Sequence, residues 1–93
     1  MVTNVQTTLY RKKVSSLLQS YRNALFVESG RVVYPTDSSI ASRLGISPTA
    51  LSSISRQCSS MSALTLRRLL IDLSCMLTKS DFSDLVTNFL APE

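Results

Sequence analysis

The sequence predicts an all-α protein, a compact bundle of about five helices. Apolar residues recur at three- and four-residue steps through most of the 93 residues, the spacing of one buried helix face. The patterned stretches are separated by short joints that carry serine, proline and the only two glycines, Gly30 and Gly45. At 44% apolar residues the chain has enough material for a core, which argues against wholesale disorder.

Residues 1–7 lack charge and periodicity and read as a loose N-terminal arm. Leu9, Val14, Leu17, Leu18, Tyr21 and Leu25 form one stripe, so the first helix is expected over 8–28. Gly30 closes it, because glycine takes the left-handed conformation without a steric cost. Arg31-Val32-Val33-Tyr34 is short and β-prone, and Pro35 pushes Tyr34 out of the helical region. This segment reads as an extended connector; a small hairpin with Phe26-Val27-Glu28 is the lesser alternative. Thr36 is an N-cap type, with Asp37 in the favourable first turn of a short helix over 38–44 buried through Ile40, Ala41 and Leu44. Gly45 stops that helix. Ser47 caps the next, and Pro48 suits its first position, where no intrahelical N–H is required. The third helix is expected over 48–57, with Leu51 and Ile54 inward.

After the polar joint Ser59-Ser60-Met61-Ser62, a fourth helix is expected over 62–77. Leu66, Leu69, Leu70, Leu73, Met76 and Leu77 make its core stripe, and Leu64, Ile71 and Cys75 widen the apolar arc beyond what a small core needs. Lys79-Ser80 interrupts the pattern. Ser80 is read as the cap of a fifth helix, with Asp81 and Asp84 near its positive end and Phe82, Leu85, Val86, Phe89 and Leu90 on its apolar face. Pro92 ends the ordered chain.

Several function classes are disfavoured. The sequence has no histidine, which removes histidine metal sites and histidine-assisted nucleophiles. None of the six carboxylates pairs in a recognisable acid–base setting, and no glycine-rich phosphate loop exists. The chain is therefore not expected to be an enzyme, to bind a metal or cofactor, or to hold a small-molecule ligand. Cys58 and Cys75 are too few for a disulfide framework and are read as small buried apolar residues. With no secretory signal and no apolar stretch of membrane-spanning length, the expected compartment is the cytoplasm.

Charge is unevenly distributed. Residues 1–68 carry nine Lys/Arg and two acids, a balance of +7, whereas 69–93 carry one lysine and four acids, a balance of −3. A basic front of this size points to a polyanionic partner. Lys12, Lys13 and Arg22 are read chiefly as solubilising residues with a diffuse attraction, and Arg67 and Arg68 as able to reach such a partner or the acids of the fifth helix.

The most informative segment is 37–56. Two short helices that meet at a steep angle need a small residue where their backbones approach, supplied by Ala41. They need a left-handed corner, supplied by Gly45, and an apolar residue just past it, supplied by Ile46. Leu51 and Ile54 face back toward Ile40 and Leu44. The run Ile40-Ala41-x-x-Leu44-Gly45-Ile46-Ser47-x-x-x-Leu51-Ser52-x-Ile54 resembles the helix-turn-helix of the lambda-repressor and Cro (XRE-type) family of DNA-binding regulators. In length and basic character the chain is also similar to the CII activators of lambdoid phages. Two features depart from the family: the link before the second helix is longer, and Asp37 stands where many members place a phosphate-contacting glutamine.

The resemblance implies that the third helix enters the major groove by its N-terminal half. Ser47, Pro48, Thr49, Ser52, Ser53 and Arg56 are then the outward, DNA-facing positions. Ser38 and Arg43 of the second helix, with Ser59 and Ser60 ahead of the fourth, complete the set. A serine-rich reading helix binds little surface by itself, so a homodimer on a palindromic operator is expected. The region 62–90 is the candidate interface, with Phe82, Leu85, Val86, Phe89 and Leu90 its core. The function expected is sequence-specific binding of double-stranded DNA by a transcriptional repressor of phage or mobile-element type. The alternatives are a CII-like activator, dimeric or tetrameric, and a helix-turn-helix module that docks protein without DNA.

Overall fold

The computed structural model describes residues 2–91, with side chains from residue 9 onward. Five helices account for most of this chain: α1 (Val2–Glu28), α2 (Asp37–Leu44), α3 (Pro48–Ser55), α4 (Ala63–Met76) and α5 (Lys79–Leu90). No strand occurs among the described residues, so the expected all-α bundle is the observed one and the hairpin alternative is absent.

The long helix α1 is the spine, packing against α3, α4 and α5, while α2 packs on α3 and α4. Val14, Leu17, Leu18, Tyr21 and Leu25 form its buried stripe, and Leu9 is only half-buried. Ile40, Ala41 and Leu44 from α2, Leu51 and Ile54 from α3, and Leu69 and Leu73 from α4 close the same core. Met61, in the joint before α4, is buried with them. Burying such side chains stabilises a fold by about 1.5–3 kcal/mol each.

Helix ends follow from local chemistry. Thr36, Ser47, Ser62 and Thr78 sit in extended conformation and accept a hydrogen bond from the backbone N–H three residues on, at 3.1–3.2 Å. Each substitution of such a cap costs about 1 kcal/mol. Three helices close with a left-handed residue: Gly30 after α1, Gly45 after α2 and Gln57 after α3. At each, that residue and the next donate back to carbonyls of the last turn, as Gly45 and Ile46 do to Ser42 and Ala41 at 3.3 and 3.0 Å.

Four expectations need correction. Helix α1 begins at Val2, so residues 2–7 continue the helix instead of forming an arm; nothing between Val2 and Thr8 is a proline or glycine that would stop it. Met1 and Pro92 lie outside the described residues. The cap of α5 is Thr78, not Ser80, since Thr78 is the first hydroxyl residue after α4 ends at Met76. Helix α3 ends at Ser55, two residues early, because Gln57 turns left-handed. Cys58 and Cys75 are exposed, not buried. Cys58 lies in the turn after α3, and Cys75 falls between the inward positions Leu73 and Met76.

The apolar excess of α4 is real. Leu64 and Ile71 are 60% and 52% exposed. No helix among the described residues is long and apolar enough to cross a membrane.

Candidate nucleic-acid interface

The segment 37–56 folds into two one-core helices joined by three residues. Gly45 adopts φ 72° and ψ 30°, ending α2, and Ser47 starts α3 two residues later. Ile40, Ala41 and Leu44 are fully buried on one side of this joint and Leu51 on the other. Packing of this kind commits the apolar faces inward and leaves the hydroxyl-bearing faces outward.

Ser38, Ser47, Pro48, Thr49 and Arg56 are exposed, and Ser52 and Ser53 are half-buried. The Ser47 hydroxyl accepts from the Ala50 N–H at 3.1 Å, so its proton remains available to donate. Arg56 bends back, its Nε donating to the Ser52 carbonyl at 3.4 Å. In the joint before α4, Ser59 is half-buried and Ser60 exposed. Ser60 Oγ accepts from Arg11 Nε at 3.4 Å, which ties this joint to α1.

Arg43 takes a different place. It shares a cleft with Glu28, Asp72, Cys75 and Met76, on the side where α2 meets α4. There the buried Tyr21 hydroxyl donates to Asp72 Oδ2 at 2.7 Å. Burial, then the hydrogen bond and charge of Asp72, raise the Tyr21 pKa far above its ordinary value of 10.0, and Arg43 acts in the opposite direction. Arg43, exposed on α2, thus shares a polar cleft with two acids.

Asp37 is explained by Arg22. One Arg22 nitrogen donates to the Pro35 carbonyl at 2.8 Å and the other pairs with Asp37 Oδ1 at 2.6 Å. The Arg22 side chain is 13% exposed, and its guanidinium also lies over the Tyr34 ring at 5.9 Å. Tyr34 in turn packs edge-on against Phe26 at 5.7 Å. A residue read from sequence as solubilising therefore fastens the long connector to the start of α2. The sequence offered one signal for it, the unusual acid at position 37.

Lys13 is likewise committed. Its ammonium donates to the carbonyls of Phe89 (3.2 Å) and Ala91, at the negative end of α5. Arg68 reaches α2: its Nη1 donates to the Leu44 carbonyl at 3.3 Å, directly over Gly45. Arg67 lines an apolar groove with Leu66, Leu70, Ile71 and Phe82.

Of the candidate self-association face, Phe82, Leu85 and Phe89 are half-buried and pack on the core, and Phe89 meets Tyr10 edge-on at 6.4 Å. Val86 is half-buried, and Leu90 is 72% exposed. The described residues include no group of three or more potential metal ligands.

Comparison with known proteins adds no relative: no family model, curated protein or solved structure matches this chain.

Proposed function

We propose that α2 and α3 form a helix-turn-helix and that the protein binds double-stranded DNA through the exposed face of α3, as a transcriptional repressor of phage or mobile-element type. One observation carries the reading. A left-handed Gly45 separates two short helices whose apolar sides are buried, leaving Ser47, Pro48, Thr49 and Arg56 exposed on the second. A short helix packed on α1 and α2 by its apolar side, with hydroxyls and one arginine outward, suits the major groove.

Ser38 and the N-terminus of α2, together with Ser59 and Ser60, would hold backbone phosphate on either side of α3. Ser and Thr discriminate poorly among bases, so specificity requires two copies on a palindrome, with half-sites about 34 Å apart. The exposed Leu64, Ile71 and Leu90 are apolar surface available for that homodimer. Sedimentation as a dimer at micromolar concentration is the expected result, and a monomer removes this part of the reading.

A second reading is favoured by Arg56 itself, the one long polar side chain on the outward face of α3, which leans on its own helix. In that reading the segment docks protein and leaves DNA alone. A salt titration on random-sequence duplex separates the two. A DNA binder loses affinity linearly in log salt as counterions are released, whereas a protein-docking module shows no duplex binding even at low salt. Selection of bound fragments from a random duplex pool then gives the operator. Replacing Arg56 with alanine is expected to cost about 1–3 kcal/mol of operator binding; an unchanged dissociation constant excludes Arg56 from the site.

A further inference from the structure

We infer that the polar groove between α1 and the end of α3 is a second phosphate-contacting strip, in which Lys12, together with Arg11 beside Ser60, holds the DNA backbone next to the reading helix. The inference rests on the DNA-binding reading and adds to it a surface on a helix outside the 37–56 segment.

The groove is lined by Lys12, Ser15, Gln19, Arg22, Ser55 and Gln57, among others, and encloses about 410 Å³. No acid lines it. The one carboxylate known to touch a lining residue, Asp37, is held by Arg22 in an ion pair. Hydroxyls, amides and cations without a competing acid are the donor set that phosphate oxygens accept.

Its position fits the same duplex. Ser15 Oγ donates to the Ser55 carbonyl at 2.8 Å, pinning this part of α1 to the last residue of α3. Arg11 lies against Ser60, and the Tyr10 hydroxyl reaches the Met61 carbonyl at 3.4 Å. The first half of α1 therefore runs alongside the α3–α4 joint, whose Ser59 and Ser60 already belong to the proposed DNA face. A backbone that contacts Ser60 would lie beside Arg11, and Lys12 faces the groove toward Ser55 and Gln57.

The four cations of α1 are not equivalent. Lys13 is spent on the carbonyls that end α5, and Arg22 on Pro35 and Asp37. Among the described residues, Lys12 is exposed with no hydrogen bond or ion pair, and Arg11 meets only the neutral hydroxyl of Ser60. Those two are left to meet a phosphate.

The test compares salt slopes on a random-sequence duplex for the wild-type chain and for Arg11→Ala, Lys12→Ala and Lys79→Ala. Lys79 is the exposed first residue of α5 and serves as the control for net charge alone. Each phosphate contact contributes about 0.9 to the slope of log K against log salt. Lys12→Ala and Arg11→Ala are expected to lower the slope by about 0.9 each, and Lys79→Ala to leave it unchanged. Thermal melts of all four proteins show whether each is folded, and Lys12→Arg is expected to restore the slope. Slopes for Arg11→Ala and Lys12→Ala that match the Lys79→Ala slope overturn the groove while DNA binding stands. A wild-type chain that binds no duplex at low salt overturns both readings.

Discussion

Replacing Gly45 with alanine probes the corner on which the candidate site depends. Two costs are readable from the structure. At φ 72° an L-residue meets the left-handed penalty, about 1–2 kcal/mol. The added Cβ would also stand 1.9 Å from Arg68 Nη1 and 3.3 Å from its Cζ. The guanidinium can swing away, so this second cost is the loss of its bond to the Leu44 carbonyl. At 3.3 Å that bond is long, and its loss costs about 0.5–1 kcal/mol. Gly45→Ala should then destabilise by about 1.5–3 kcal/mol. In an Arg68→Ala background the bond is already gone, and the same substitution should cost only the backbone penalty of about 1–2 kcal/mol. Urea unfolding followed by circular dichroism measures the cycle, provided the slope with denaturant stays constant. Equal losses in both backgrounds would refute the Arg68 contact. No loss in either would refute the left-handed corner.

Tyr21 makes stability sensitive to alkali. Its folded pKa lies above the unfolded value of 10.0, so the folded state retains a proton that the unfolded chain releases. The stabilisation is complete below pH 10 and declines above it by about 1.4 kcal/mol per pH unit. Tyr21→Phe should flatten the stability profile above pH 10 relative to the wild-type chain, and parallel profiles would show that the Tyr21–Asp72 contact has no such role. Lys13→Met removes the ammonium from the end of α5 and should cost about 0.5–1.5 kcal/mol, read as a lowered melting temperature; an unchanged melt contradicts the assigned contact. Gln57 is a non-glycine residue at φ 63°, so Gln57→Gly should stabilise the fold by about 1 kcal/mol in urea titration, and a loss of stability would argue that its side chain does more than line the groove.

Periodicity made the core legible. The stripe from Val14 to Leu25, the trio Ile40, Ala41 and Leu44, and the pair Leu51 and Ile54 are all buried as their spacing requires. Gly45 and the caps Thr36 and Ser47 were legible for a similar reason, because each acts within four residues of itself. The misses have a different physical origin. Tyr21 and Asp72 are 51 residues apart, and Lys13 and Ala91 are 78 apart, so no local pattern announces either contact. Periodicity on α5 identified an apolar face, of which Phe82, Leu85 and Phe89 pack half-buried on the core of their own chain while Leu90 stays exposed. The two cysteines were misjudged because residue type was allowed to outweigh position; Cys75 is exposed beside Asp72 and Met76 despite its apolar character. In the candidate interface, the exposure of Ser47, Thr49 and Arg56 was readable, whereas the cleft that Arg43 shares with Glu28 and Asp72 required the folded chain.

The central claim is that the outward face of α3 meets DNA. Amide chemical shifts of the labelled protein, followed during titration with a random-sequence duplex at low salt, test it residue by residue. The account predicts that the largest changes fall at Ser38, at 47–53 and at Ser59 and Ser60, with 81–90 unmoved at constant protein concentration. Changes centred on the outer side of α4 or on α5, with α3 silent, would contradict it.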